Sequence, residues 1–235
     1  MKDFTNKVKR LLKKYGNKKI FGLRIGRRPI NPLIEKAFNI ISGGQWEKLR
    51  KQYYYDKLFH LFLIITLDDG TVLSFEKNEV VTMTENDSRC SVADVECKEL
   101  EYPVGSITLN QLVKDPLERI GQYDYFIYDG FKANCQMFIR SVLQTFNLYS
   151  SKVDDFVFQD ISEIVQKLPW YVGYGAKKVT DLGAKFKSIK GGDCGCAKCM
   201  SGGCNSCGKC PKKKNLSEIS SFVVDMFNDI DSDLL

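Results

Sequence analysis

Apolar residues recur at helical spacing from the start of the chain. Phe4, Val8, Leu11, Leu12 and Tyr15 form one stripe, with Lys7, Lys9, Arg10, Lys13 and Lys14 between them, which predicts an amphipathic helix with a basic outer face. Residues 30–42 repeat the period through Leu33, Ile34, Ala37, Phe38 and Ile41, with Pro32 near the first turn and Gly43-Gly44 as the stop. Gln45–Gln52 reads as another short helix. From Lys57 to Leu67 the pattern becomes a run of large and β-branched apolar residues, which predicts a buried strand. Asp68-Asp69-Gly70 predicts a hairpin turn and Thr71–Asn78 the returning strand. The polar stretch Glu85–Glu101 reads as an exposed loop. Thr108 is an N-cap for a short helix through Lys114, and Tyr123–Tyr128 alternates like a strand. Asn134–Leu148 and Asp160–Leu168 read as amphipathic helices, the second stopped by Pro169. No internal repeat is visible. This order predicts an α+β domain with antiparallel pairing.

Apolar residues make up 43% of the 235 and charged residues 27%, values of a globular chain that exclude a wholly disordered or collagen-like one. The longest uncharged apolar stretch, Leu58 to Leu67, is about half the ~20 residues of a spanning helix. The charged first residues contain no apolar core of a signal peptide. The net charge of +6 is strongly partitioned: +10 over residues 1–28, −6 over 29–184, +7 over 185–214 and −5 over 215–235. We therefore divide the chain into a basic N-terminal helix (1–20), a body (21–186), a basic Cys/Gly-rich segment (187–214) and an acidic amphipathic C-terminal helix (215–235). Extensions of this kind favour assembly partners. For the basic helix, two roles stand open: a contact to nucleic acid or a membrane surface, or packing on the body with a solvated basic face.

The chain has nine Cys and a single His, so any histidine chemistry falls to His60. Asn134 caps the helix that follows, which places Cys135 in its first turn, with Gln136 beside it. There the backbone N–H groups and the positive end of the helix dipole favour a thiolate, and the same N–H groups can bind an oxyanion. A thiol nucleophile needs a base, and His60 opens the predicted central strand. If the hairpin loop has three residues, His60 opposes Asn78, which could fix the imidazole tautomer, with Glu76 on the same face in reserve. The dyad itself calls for no cofactor. The bland alternatives are a buried small thiol and a structural histidine.

His60 on a strand, a polar residue on its hairpin partner, then Asn134-Cys135-Gln136-x-Phe138 opening a helix: this order resembles circularly permuted papain-like hydrolases. These include NlpC-type peptidases in permuted form and lecithin–retinol acyltransferase-like enzymes. Tyr55-Asp56-Lys57-Leu58-Phe59-His60-Leu61, Glu76-Lys77-Asn78-Glu79 and Thr108-Leu109-Asn110 look more particularly like the members encoded by large nucleocytoplasmic DNA viruses. The resemblance covers roughly residues 21–186. Gln136-Met137 stands where the acyltransferase-like enzymes have Glu-His, and the hairpin lacks a second His. The resemblance implies Cys135 as nucleophile, His60 as general base, Asn78 or Glu76 as orienter, and an amide, thioester or lipid ester as substrate. It also implies a virion, with host cytoplasm during assembly, as location, because viruses reuse such domains as structural parts of the particle. The expectation is thus a minor capsid protein linking neighbouring virion proteins. The alternatives are an active thiol hydrolase or acyltransferase and, more weakly, a nucleic-acid-binding protein.

Six cysteines, Cys194, Cys196, Cys199, Cys204, Cys207 and Cys210, crowd a Gly-rich segment that cannot build a core. Short C-x-x-C claws suit zinc, although the gap of seven residues between Cys199 and Cys207 is shorter than the usual ~12–20. Disulfides in an oxidised particle, or a flexible linker, remain alternatives. Beyond it, Asn215-Leu216-Ser217-Glu218 reads as a capping box for the last helix.

Overall fold

In the computed structural model the Thr5 hydroxyl accepts the Val8 N–H at 3.3 Å and opens α1 (Asn6–Tyr15). The structure describes residues 3–30, 32–53, 58–129, 133–159, 162–169 and 172. Val8, Leu11, Leu12 and Tyr15 of α1 are buried in the body's core. The apolar face of this helix therefore packs on the body. Glu85 fastens the far end, accepting from the Tyr15 hydroxyl at 2.6 Å and from Lys14 at 3.1 Å.

Five antiparallel strands form one sheet: β1 (Ile20–Pro29), β2 (Phe59–Leu67), β3 (Val72–Lys77), β4 (Val81–Glu85) and β5 (Glu96–Glu99), in the order β4-β3-β2-β1-β5. The Asp68-Asp69-Gly70 turn, with Gly70 at φ +80°, sets Ile65 opposite Leu73 and Leu63 opposite Phe75. The helices are α2 (Pro32–Ile41), α3 (Gln45–Gln52), α4 (Leu109–Ile120), α5 (Gln122–Phe126), α6 (Cys135–Thr145), α7 (Ser151–Val157) and α8 (Ser162–Lys167). The chain is an α+β protein. Leu61, Leu63 and Ile65 of β2 join the main core with α1, α4 and α6, while Phe62 and Ile64 are buried on the opposite face. Strand β2 is thus central and covered on both sides, which is why its sequence is continuously apolar rather than alternating.

Several elements differ from expectation. Strand β1 gives no apolar run because glycines and arginines interrupt it. Gly26 is there because a Cβ would lie 2.3 Å from the Phe62 ring of β2. Helix α4 continues past Lys114 to Ile120, since Pro116 extends its buried stripe of Leu109, Leu112 and Val113. The strand expected over Tyr123–Tyr128 is instead α5. Gly121 at φ +84° turns the chain out of α4 into a short helix that buries Tyr125 and Phe126. The stretch Glu85–Glu101 is not an open loop. It carries a 3-10 turn at Arg89–Ser91, the edge strand β5, and a disulfide from Cys90 to Cys97 with a Cα–Cα distance of 5.7 Å. This segment takes the chain from one edge of the sheet to the other.

Candidate active site

The first turn of α6 is built by its cap. Asn134 Oδ1 accepts the N–H groups of Gln136 at 3.0 Å and Met137 at 3.2 Å, satisfying two donors that a helix start leaves open. The buried Gln136 then accepts the Gln159 N–H at 3.3 Å, and Gln159 accepts the Phe59 N–H at 2.9 Å. Through these two glutamines, α6 is tied to the residue preceding His60. Cys135 is free and 6% exposed; His60 is 7% exposed.

The Cys135 thiol and the His60 ring are neighbours, each acting on the other's proton affinity. On the ring's other side, Nε2 lies 2.8 Å from Glu76 Oε2. With Nε2 occupied, Nδ1 is the nitrogen left for the sulfur. Burial alone would push the thiol up. The neighbouring imidazolium and its hydrogen bond outweigh this, with help from the N–H groups of Leu61 and of Cys135 itself, and hold the thiol below its ordinary value. Burial likewise pushes the imidazole down, but Cys135 and then Glu76 hold it above its ordinary value. The two directions agree: each of the two groups favours the charged form of the other.

Glu76, rather than Asn78, is on the ring. Continuing the hairpin register would set Asn78 opposite His60, but β3 ends at Lys77 and the Asn78 N–H turns to the Val80 carbonyl at 3.2 Å. Glu76 lies two residues earlier on the same face, and its longer side chain spans the diagonal. Two charged neighbours were invisible in the sequence. Arg89 Nη1 reaches Glu76 Oε2 at 3.0 Å, and Asp87 holds the Arg89 Nε at 2.8 Å. Their positions depend on the path of the crossing segment, which no local pattern announces. Tyr128 is a third neighbour. Burial first, then Cys135, Glu79 and Asp129, push its phenol up, so it stays protonated.

The basic residues of α1 stand apart from this site. Lys7 reaches Thr84 at 3.5 Å, Lys9 pairs with Asp3 at 2.5 Å, and Lys9, Lys13 and Lys14 line a cleft of about 700 Å³ with Lys18 and Lys114. Arg10 is exposed on the same helix. Cys194, Cys196, Cys199, Cys204, Cys207 and Cys210 lie outside the described residues, as does the acidic C-terminal segment. Among the described residues no group of three or more His, Cys, Asp or Glu side chains could hold a metal, and no helix is long and apolar enough to cross a membrane. The chain matches no family model, no curated protein and no solved structure.

Proposed function

We propose that the protein is a thiol hydrolase or acyltransferase of the permuted papain-like kind, with Cys135 as nucleophile, His60 as general base and Glu76 as orienter. The observation that carries this reading is the buried cluster of Cys135, His60 and Glu76, with Nε2 2.8 Å from the carboxylate and the thiol held down. Sγ attacks the acyl carbon of an amide, thioester or lipid ester while His60 Nδ1 holds the proton that the thiol has given up. A C–S bond forms, and the negative charge moves to the carbonyl oxygen, for which the Cys135 N–H is a donor. Collapse breaks the bond to the leaving amine, thiol or alcohol, which takes the proton from Nδ1. Water, or a second acceptor, gives its proton to Nδ1 and attacks the acyl-enzyme, and the thiolate is released. Glu76 keeps Nε2 protonated throughout, so that Nδ1 alone exchanges protons. The test is labelling of the full chain by an iodoacetamide probe near pH 6. Wild type is expected to label at Cys135, and Cys135→Ala to lose the label. His60→Ala labels slowly while remaining folded. Equal labelling of wild type and His60→Ala would overturn the reading.

The burial of both residues favours a second reading, in which the domain is a structural part of a virus particle and the site is closed. Under it, purified particles contain the protein in stoichiometric amounts and Cys135 resists the probe.

A further inference from the structure

We propose that Arg89 is a positioning residue of this site, which fixes the Glu76 carboxylate in its ionised form and thereby decides which nitrogen of the neutral His60 ring carries the proton. The inference rests on the dyad reading above and extends it to a residue carried in from the segment between β4 and β5.

An ionised Glu76 only accepts hydrogen bonds, so Nε2 must keep its proton and Nδ1 is free to take one from Cys135. A protonated Glu76 can donate to Nε2. The neutral ring then carries its proton on Nδ1, pointed at the sulfur, and cannot receive another from the thiol. Proton transfer from Sγ to Nδ1 therefore depends on the charge of Glu76.

Glu76 is 6% exposed, and burial opposes a charged carboxylate unless an opposite charge meets it. Arg89 supplies that charge at 3.0 Å, on the same Oε2 that faces His60. Its own place is over-determined. Asp87 accepts its Nε and backbone N–H, the guanidinium carbon lies 4.1 Å from the centre of the Phe62 ring, and the next residue, Cys90, is disulfide-bonded to β5. Phe62 and His60 project from the same face of β2, so the cation stacks on one residue and steers the partner of the other. The charged and titratable groups around this chain include Tyr128 with Glu79 and Asp129 near the sulfur, Glu76 and Arg89 at the ring, Asp87 behind the guanidinium, and Arg28 of β1 opposite His60.

His60 is the only histidine, so selective ¹⁵N labelling of histidine gives an unambiguous NMR readout of both ring nitrogens in the full chain. In wild type, Nε2 is expected to stay protonated across the titration while Nδ1 alone titrates. In Arg89→Met, Glu76 loses the Arg89 cation beside its Oε2 and protonates at higher pH, which adds a second step to the His60 titration. Iodoacetamide labelling of Cys135 should fall about tenfold where that step lies. Arg89→Lys restores the single step in part. In a Glu76→Gln background, Arg89→Met adds no step, because nothing remains for it to act through. An Arg89→Met titration superimposable on wild type would overturn the proposal, as would an equal change in the Glu76→Gln background. Failure of the hydrolase reading is separate. It appears as a wild-type Cys135 no more reactive than a free thiol, and the NMR comparison still judges Arg89 in that case.

Discussion

Gly26→Ala tests whether the packing around Phe62 is as tight as the geometry states. The added Cβ would fall 2.3 Å from the Cε2 and Cζ atoms of the Phe62 ring. Carbon–carbon contacts settle near 3.5–4.0 Å, so ring or strand must give by about 1 Å. Phe62 is fully buried and capped by the Arg89 guanidinium at 4.1 Å, so the ring has little room to move. Overpacking of this kind costs about 1–3 kcal/mol, offset by about 0.5–1 kcal/mol because alanine loses less backbone freedom than glycine in a strand. The net loss of about 1–2 kcal/mol corresponds to a melting temperature lower by roughly 2–8 °C for a domain of this size. Thermal unfolding followed by circular dichroism measures it. Gly22→Ala is the control in the same strand, because its Cβ meets Thr66 at 3.1 Å and needs a far smaller adjustment. Phe62→Leu in the Gly26→Ala background should lose less than the sum of the two single changes. The reasoning is refuted if Gly26→Ala melts at or above wild type, or if the two changes simply add.

Leu11→Ala, at a residue of α1 that is 1% exposed, is expected to lower stability by about 2–5 kcal/mol in urea unfolding; a free arm would give no change. Removing the Cys90–Cys97 link by Cys97→Ser opens a loop with a sequence separation of seven. On the chain-entropy model this costs about 2.5 kcal/mol, read as a lower urea midpoint than that of the oxidised wild type. Asn134→Ala removes the acceptor for two N–H groups of α6. It should cost about 1 kcal/mol and slow alkylation of Cys135, as measured by quantitative mass spectrometry. The pH dependence of that alkylation follows from the two directions at the dyad. The thiol is held down and the imidazole up, so the rate should rise at lower pH than for an ordinary thiol near ~8.5. It should then hold until the imidazolium loses its proton, and His60→Ala should move the rise to higher pH.

The Cys135–His60 pair was legible because the chain offers one imidazole, and because Asn134 announces a helix start at the cysteine. The hairpin was legible from its turn residues, and the observed register agrees with a three-residue loop. What the register could not say is where β3 stops. That stop replaced Asn78 by Glu76, since side-chain reach along a diagonal decides the contact once the strand turns away. Arg89 was illegible for a different reason. It reads locally as a surface arginine in a polar stretch, and only the route of the chain across the sheet gives it a buried carboxylate as partner. Cysteines seven residues apart carry no spacing signature, and the short charged edge strand that brings them together has no apolar pattern. Strand β1 was hidden because its glycines and arginines answer to neighbours, Gly26 to Phe62 and Arg27 to Glu96, rather than to propensity.

The two members of the dyad sit in parts of the fold with different resistance to opening. His60 belongs to β2, which is hydrogen-bonded to β1 and β3 and buried on both faces. Amides of such a strand exchange with solvent only when the whole domain unfolds. Cys135 sits in the first turn of α6, an end held by one cap and a pair of glutamines, while Ile139, Val142 and Leu143 anchor the rest of the helix in the core. Fraying of that first turn therefore moves the sulfur away from a stationary ring, and the shift of the thiol is lost with it while the sheet is still folded.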